Sequence, residues 1–481
     1  MANHTNFSGP NNFGLQLGQN YGSVHYSSNN PDEATKLKDA VEKLFITDAE
    51  VDREKVKSAK GQRVPGTCEW IDKCATYTNW SERKIPFLWI RGGPGKGKTM
   101  LSVYVTEQLE QRSRGVDENA LYFFCDHRVD TRNTSTAILR GILFQLLKSQ
   151  PVLQSHIATR TDSMNSLITS CDALWLLFIG ILHDPARHPT KCVIDGVDEC
   201  DEECVFCFFE HMRNPFTDET YIQSPFFQFL VVSRTSVQLD FLPAIDLDSS
   251  TNNALALYIV RFIDYRLERV SKLKGFTPPF RMRIREELVF RCESSFLWSN
   301  FVVQSLLRKK TVSDIELELM MFPRGLGPLY DRLLLQIEPQ HRAQCATILQ
   351  WAAWAIDPIT LPELAVVLGL QASPTILIGQ ATRDQVTWSE PLVRLEDVGS
   401  ENTKIRVFPV HQSLSTHLHT LVTSNEADFR LFAIDTDRVR VQMAQACLDY
   451  LNADFSKKYF WKCKDAVEEQ KYPFMANATK N

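Results

Sequence analysis

The chain has 481 residues, 44% of them apolar and 23% charged, a globular composition in a length that exceeds one ordinary domain, so two to four domains are expected. A net charge of −5, with Lys and Arg scattered along the chain, supplies no footprint for direct nucleic-acid binding. The most apolar run, at 173–182, is too short for a membrane span and reads as a core helix. The twelve cysteines, with no basic-then-apolar leader ahead of them, read as free thiols of a cytoplasmic protein.

Residues 1–30 are rich in Asn, Gly and Ser, nearly uncharged, and unable to build a core. Their centre, NNFGLQLGQNYGSVHY, alternates apolar and polar residues with spaced glycines, which suits either a disordered tail or short strands that stack with copies from other chains. Residues 31–62 read as a charged helical connector. Over 63–248 strand and helix signals alternate, with strands at 87–91, 120–125, 192–195 and 229–233 and helices at 100–109, 137–147 and 174–182; this implies a mainly parallel sheet covered on both faces. Residues 249–338 read as a helical domain, with helices at 254–273, 282–293, 297–309 and 329–337. Over 339–425, helices at 342–355 and 362–370 precede two strands, 392–396 and 404–408, and a helix starting near His411, the order of a winged helix. Residues 426–481 are expected to be helical and then polar, without an evident closing element.

The chemistry concentrates between Gly92 and Thr99, GGPGKGKT. A buried-strand pattern, FLWIR, precedes this G-x-x-x-x-G-K-T loop, and a helix with Leu101, Val105 and Leu109 on one face follows it. Gly92, Gly93, Pro94, Gly95, Lys96 and Gly97 let successive backbone N–H groups curl around phosphates, with Met100 in the first helical turn behind them. Lys98 reaches the β- and γ-phosphates, and Thr99 ligates magnesium. A second strand, KCVID, ends at Asp195, which on a strand next to the P-loop strand would hold the magnesium shell. Asp198 and Glu199 follow as candidates for the catalytic base, Glu199 first, with a solvated acidic loop as the alternative. Arg234, after the strand at 229–233, either reads the γ-phosphate or is a surface charge. Cys200, Cys204 and Cys207 lie near His211, but VFCFFEHM reads as an amphipathic helix, so no zinc site is expected there.

These motifs belong to a longer string of blocks: RVPGTCEWI at 63–71, WIRGGPGKGKTML, TRNTSTAILRGILFQLL at 131–147, CVIDGVDECD, LVVSRT and SSFLWSNFVV. Together, over about 31–421, they resemble the NACHT-type signal-transducing P-loop ATPases, specifically the fungal NOD-like receptors with a nephrocystin-type nucleotide-binding domain. The resemblance implies an α/β P-loop NTPase followed by helical and winged-helix-like domains, with ATP/ADP and Mg2+ as cofactors. It makes Asp195 the Walker B acid, Asp198 and Glu199 the hydrolytic pair and Arg234 the sensor arginine. His411, in FPVHQSLSTHL, takes the place of a winged-helix histidine that touches the β-phosphate of ADP in a closed form. Ser295 stands where the family often has a glycine before Phe-Leu-Trp.

On this resemblance the chain is expected to be an ATP/ADP switch in fungal innate immunity or self/non-self recognition, which self-associates on nucleotide exchange and hydrolyses slowly. The alternative is a continuously cycling ATPase of the AAA+ type doing mechanical work on a client. The glycine-spaced N-terminus resembles amyloid-forming signalling motifs that template a separate effector. Family members usually continue into repeats, and no repeat period is found before Asn481, so a fragment, a short form or sensing elsewhere is expected.

Overall fold

The apolar runs become five strands: β1 (Phe87–Arg91), β2 (Asn119–Phe124), β3 (Thr190–Asp195), β4 (Phe227–Ser233) and the short β5 (Ala244–Asp246), which the sequence pattern did not announce. Every residue of β3 and β4 is buried, as expected of strands covered on both faces. This computed structural model describes residues 31–454 apart from 115–117, 159, 202–204, 207, 212–225, 236, 238, 240–241, 250–252, 356–357, 371–376 and 398–404. The segment 1–30, and with it both readings of the N-terminal motif, lies outside the described residues.

The strand order is β2-β3-β4-β1-β5. β2, β3 and β4 pair in parallel, with Phe124 opposite Asp195 and Asp195 opposite Val232. This corrects one expectation: the strand that ends in Asp195 is not next to the P-loop strand, because β4 lies between them. The strands are about equally apolar, so composition does not order them. The order is marked by long-range bonds, Trp89 Nε1 to Ser233 Oγ at 2.8 Å and Phe229 N to Pro86 O at 2.8 Å.

The expected connector at 31–62 is two helices, α1 (Pro31–Leu44) and α2 (Ala49–Lys60). The Asp48 carboxylate restarts the chain as a helix by accepting from the N–H groups of Glu50 and Val51. Ala40, Val41 and Leu44 of α1 are buried in the core that covers the sheet. With them pack α4 (Ser135–Ser149), capped by Thr134, and α5 (Cys171–Leu182), capped by Ser170, whereas α3 (Lys98–Ser113) buries Leu101, Val103, Tyr104, Val105 and Leu109 outside that core.

Five helices follow: α6 (Asn253–Lys274), α7 (Pro278–Arg291), α8 (Phe296–Arg308), α9 (Val312–Met321) and α10 (Leu326–Leu335). α9 is absent from the sequence expectation although Thr311 and Asp314 form a reciprocal capping box at its start. Next come α11 (Arg342–Trp354), α12 (Leu361–Val367) and α13 (Ile378–Thr387). The antiparallel pair β6 (Val393–Asp397) and β7 (Ile405–Pro409) then leads into α14 (Gln412–Thr420). Thr360 bridges Arg406, and Val407 N donates to Ile359 O at 2.9 Å, so the stretch before α12 lies against β7. α15 (Thr436–Asp454) buries Val439, Met443 and Cys447 in the same core as Trp298, Tyr330 and Leu414.

Contacts divide the chain into two units: one holds the chain to Gly61 with 75–90 and 102–245, and the other 62–74, 91–101 and the chain from Asp246 onward. Among the described residues no helix is long and apolar enough to cross a membrane, and no disulfide joins the described cysteines.

Candidate nucleotide site

The P-loop is built with the helices that follow the sheet. Gly95 and Gly97 have φ of 75° and 82°, a region that disfavours any side chain. A Cβ on Gly95 would stand 2.6 Å from Ser295 Oγ and 3.0 Å from Leu297 Cβ, and one on Gly97 would stand 3.2 Å from the Phe296 ring. The backbone also closes here, because Phe296 N donates to Gly95 O at 2.8 Å. Lys98 Nζ donates to Gly92 O at 2.6 Å and Gly93 O at 2.8 Å.

Two residues that sequence reasoning missed hold the loop. Gly93 N donates to Asp248 Oδ2 at 2.6 Å, and Lys96 Nζ lies 3.3 Å from Asp248 Oδ1 while donating to Glu293 O at 2.9 Å. Asp248 has its place because Asp246, at the end of β5, pairs with Arg91 at 3.0 Å. Ser295 raises no difficulty for the helix: its backbone is extended and its hydroxyl caps α8 by accepting from Trp298 N at 3.2 Å. The left-handed positions are Glu293 and Ser294, at φ 46° and 57°.

The acidic groups are arranged on the strand ends. Asp195 is buried, and its Oδ1 accepts from Ser102 Oγ at 2.7 Å, one turn of α3 beyond Thr99. Gly196, at φ 77°, turns the chain into a single 3-10 turn that carries Asp198 and Glu199. The structure brings Asp198 and Arg234 together: Arg234 N donates to Asp198 Oδ1 at 3.0 Å, and its Nε lies 3.2 Å from Oδ2. Asp198 is thereby engaged with Arg234.

Glu199 Oε2 faces His127 Nδ1 at 3.3 Å. His127 was missed by sequence reasoning, and its only local signal is its place just beyond β2. Asp126, His127 and Glu199 bring possible ligand atoms within 4.8 Å of one another. Asp126 is already saturated by cations, with Arg128 Nε and Nη2 each at 2.7 Å and Arg132 Nη2 at 3.1 Å. Burial would raise its pKa, but these guanidinium groups outweigh burial and hold the carboxyl down to about 2. Asp126 is therefore committed to the two arginines. Burial pushes the neighbouring Cys125 thiol well up, so it stays neutral. Cys200 is buried in the core, His211 lies 3.3 Å from Asp172, and Cys204 and Cys207 lie outside the described residues.

His411 caps α14. Its Nδ1 accepts from Ser413 N at 3.1 Å, which puts the imidazole proton on Nε2, and Ser413 Oγ continues to Tyr330 OH at 2.9 Å.

Residues 66–234 match the family profile described as nephrocystin 3, N-terminal, and residues 2–26 match the SesB domain on fungal death-pathway protein. The chain is 29% identical over 340 residues to the vegetative incompatibility protein HET-E-1 of Podospora anserina. The chain is thus similar to a fungal incompatibility protein and carries a nephrocystin-type segment. The alignment covers 67% of this chain and 24% of HET-E-1, so the chain spans about a quarter of that relative's length. Among solved structures it is similar to the Aeropyrum pernix ORC2 protein in ADPNP–ADP complexes, at 12% identity over 79% of this chain and 94% of that one, TM-score 0.31. It is also similar to the Aeropyrum pernix ORC1 protein in complex with DNA, at 10% identity over 85% and 94%, TM-score 0.26. These two likenesses are too distant to carry an argument.

Proposed function

We propose that this protein is a nucleotide-operated switch in which Mg2+ and ATP or ADP are held by the P-loop and Asp195. The observation that carries this reading is the tie between the P-loop and α8: Gly95 O, Lys96 and the Cβ-less faces of Gly95 and Gly97 are committed to residues 293–297. A loop that must bind phosphate and support a helix at once gives the nucleotide a lever, provided the two forms of the helix bind it with different affinity. The glycines and the Lys98, Thr99 and Asp195 donor set fit a magnesium nucleotide, which supplies the phosphoanhydride bond and the charge that the loop neutralises. Lys98 binds phosphate oxygens and Thr99 and Asp195 hold the metal shell. Arg234, anchored by Asp198, senses the γ-phosphate, and Glu199 takes the proton of the attacking water.

Hydrolysis then serves as a slow timer, and exchange of ADP for ATP releases self-association. By analogy with the incompatibility protein, the response is self/non-self recognition in the cytoplasm, passed to an effector through residues 2–26. The nucleotide that co-purifies with the chain tests the switch: bound ADP supports it, and an empty site that turns over ATP many times per second favours the AAA+ motor instead. Glu199→Gln should keep ATP affinity and slow single-turnover hydrolysis by roughly 10²- to 10⁴-fold, the range for loss of a general base. An unchanged rate would remove Glu199 from the role.

His411 is given the ADP-holding role by the family resemblance, and its Nε2–H is the donor suited to it. His411→Leu loses the cap as well as the donor, so it should destabilise the protein by about 1 kcal/mol and weaken ADP more than ATP. His411→Asn should restore the cap without restoring the ADP preference. Titration of both nucleotides against both variants checks this, and equal losses for ADP and ATP would reduce His411 to a capping residue.

A further inference from the structure

α2 is charged along its length, yet two of its charges are inside the protein: Asp52 is 3% exposed and Arg53 5%. Buried charges persist only when partnered, so their partners reveal what the helix is attached to. Arg53 pairs with Glu110 at 2.9 Å and Lys57 with Glu107 at 3.0 Å, both on α3, the helix that begins at Lys98. The Arg53 guanidinium also covers the Tyr122 ring at 4.8 Å, and the Tyr122 hydroxyl donates to Glu110 at 2.6 Å.

Asp52 makes the second attachment. Its Oδ1 lies 3.4 Å from Arg132 Nη1, and the Thr47 hydroxyl donates to its Oδ2. Arg132 is itself 9% exposed and reaches on to Asp126, whose carboxylate is gripped from the other side by Arg128. Asp126 directly precedes His127, the residue 3.3 Å from Glu199.

We propose that Asp52 and Arg132 are positioning residues for hydrolysis, setting through Asp126 the place where His127 meets Glu199 and so coupling α2 to the nucleotide site. The proposal rests on the reading of Glu199 as the base. Where bound nucleotide also fixes Glu199 against His127, linkage through Asp126 and Arg132 alters the stability of α2 in turn. In sequence, α1 and α2 follow the segment matched by the SesB profile.

Asp52→Asn in the full chain keeps the shape and the Thr47 contact but gives Arg132 no charge. We expect single-turnover ATP hydrolysis to slow about tenfold with ADP affinity unchanged, since small misplacements of a reacting group cost that much or more. Arg132→Lys, which keeps the charge but cannot bridge Asp52 and Asp126, should behave alike, and the double variant should be no slower than either single one. Hydrogen exchange over 49–60 should slow on adding ADP to the wild type and lose that response in Asp52→Asn. A wild-type rate in Asp52→Asn, or strictly additive effects, would overturn the proposal. A chain that hydrolyses no ATP but whose α2 still responds to ADP would instead overturn the role of Glu199 and keep the coupling.

Discussion

Lys98→Ala should lower nucleotide affinity by more than about a hundredfold, because it removes charge-assisted hydrogen bonds to the β- and γ-phosphates that contribute roughly 1.5–3 kcal/mol each. A second effect adds to the first. Lys98 Nζ donates to the carbonyls of Gly92 and Gly93, so alanine also releases the two oxygens that close the loop on itself. Titration calorimetry with ADP and Mg2+ measures the loss, and wild-type affinity in this variant would overturn the assignment of the loop. The fold should survive, since the side chain is only partly buried and lies outside both apolar cores.

Gly95→Ala should instead act on stability. The left-handed backbone costs an L-residue about 1–2 kcal/mol, and the lost Phe296 N–H to Gly95 O bond another 1 kcal/mol or so, giving roughly 2–3 kcal/mol before any repacking. Repacking is unavoidable, since the new methyl would lie 2.6 Å from Ser295 Oγ and 3.0 Å from Leu297 Cβ. Gly369→Ala is the control: its φ of 65° carries the same backbone strain, and nothing stands within 4 Å of the added carbon. Urea midpoints for the two variants separate strain from contact. Equal losses would mean that the loop and α8 are not packed as described.

Much of the fold could be read from local pattern. β1, β3 and β4 each hold a short apolar run, at 87–90, 192–194 and 229–232, and the loop after β1 has a spacing that few other structures need. The order of the strands could not be read this way, because it depends on side chains far apart, such as Trp89 and Ser233, 144 positions apart. The site shows the same division. Lys98, Thr99, Asp195 and Glu199 stand in motifs, whereas Asp248 meets Gly93 across 155 positions and His127 meets Glu199 across 72. A polar residue whose role is set by a distant partner leaves no periodicity behind. α9 is a different case, since its capping box is local and its apolar and acidic residues simply alternate too closely to display one clear face.

The division of the chain into two units has a practical consequence for dissecting it. The strip 91–101, which contains the whole P-loop, clusters with 62–74 and with everything from Asp246 onward, whereas β1 and most of α3 cluster with the sheet. The stretch matched by the nephrocystin-type profile, 66–234, thus runs across both units and fills neither. A fragment ending near residue 245 would keep every motif letter of the loop yet lack Asp248, Glu293, Ser295 and Phe296, the groups that give those letters their shape. Expression boundaries drawn from the motif alone would cut through the loop's own support, and the smallest piece in which it retains its conformation extends at least through α8.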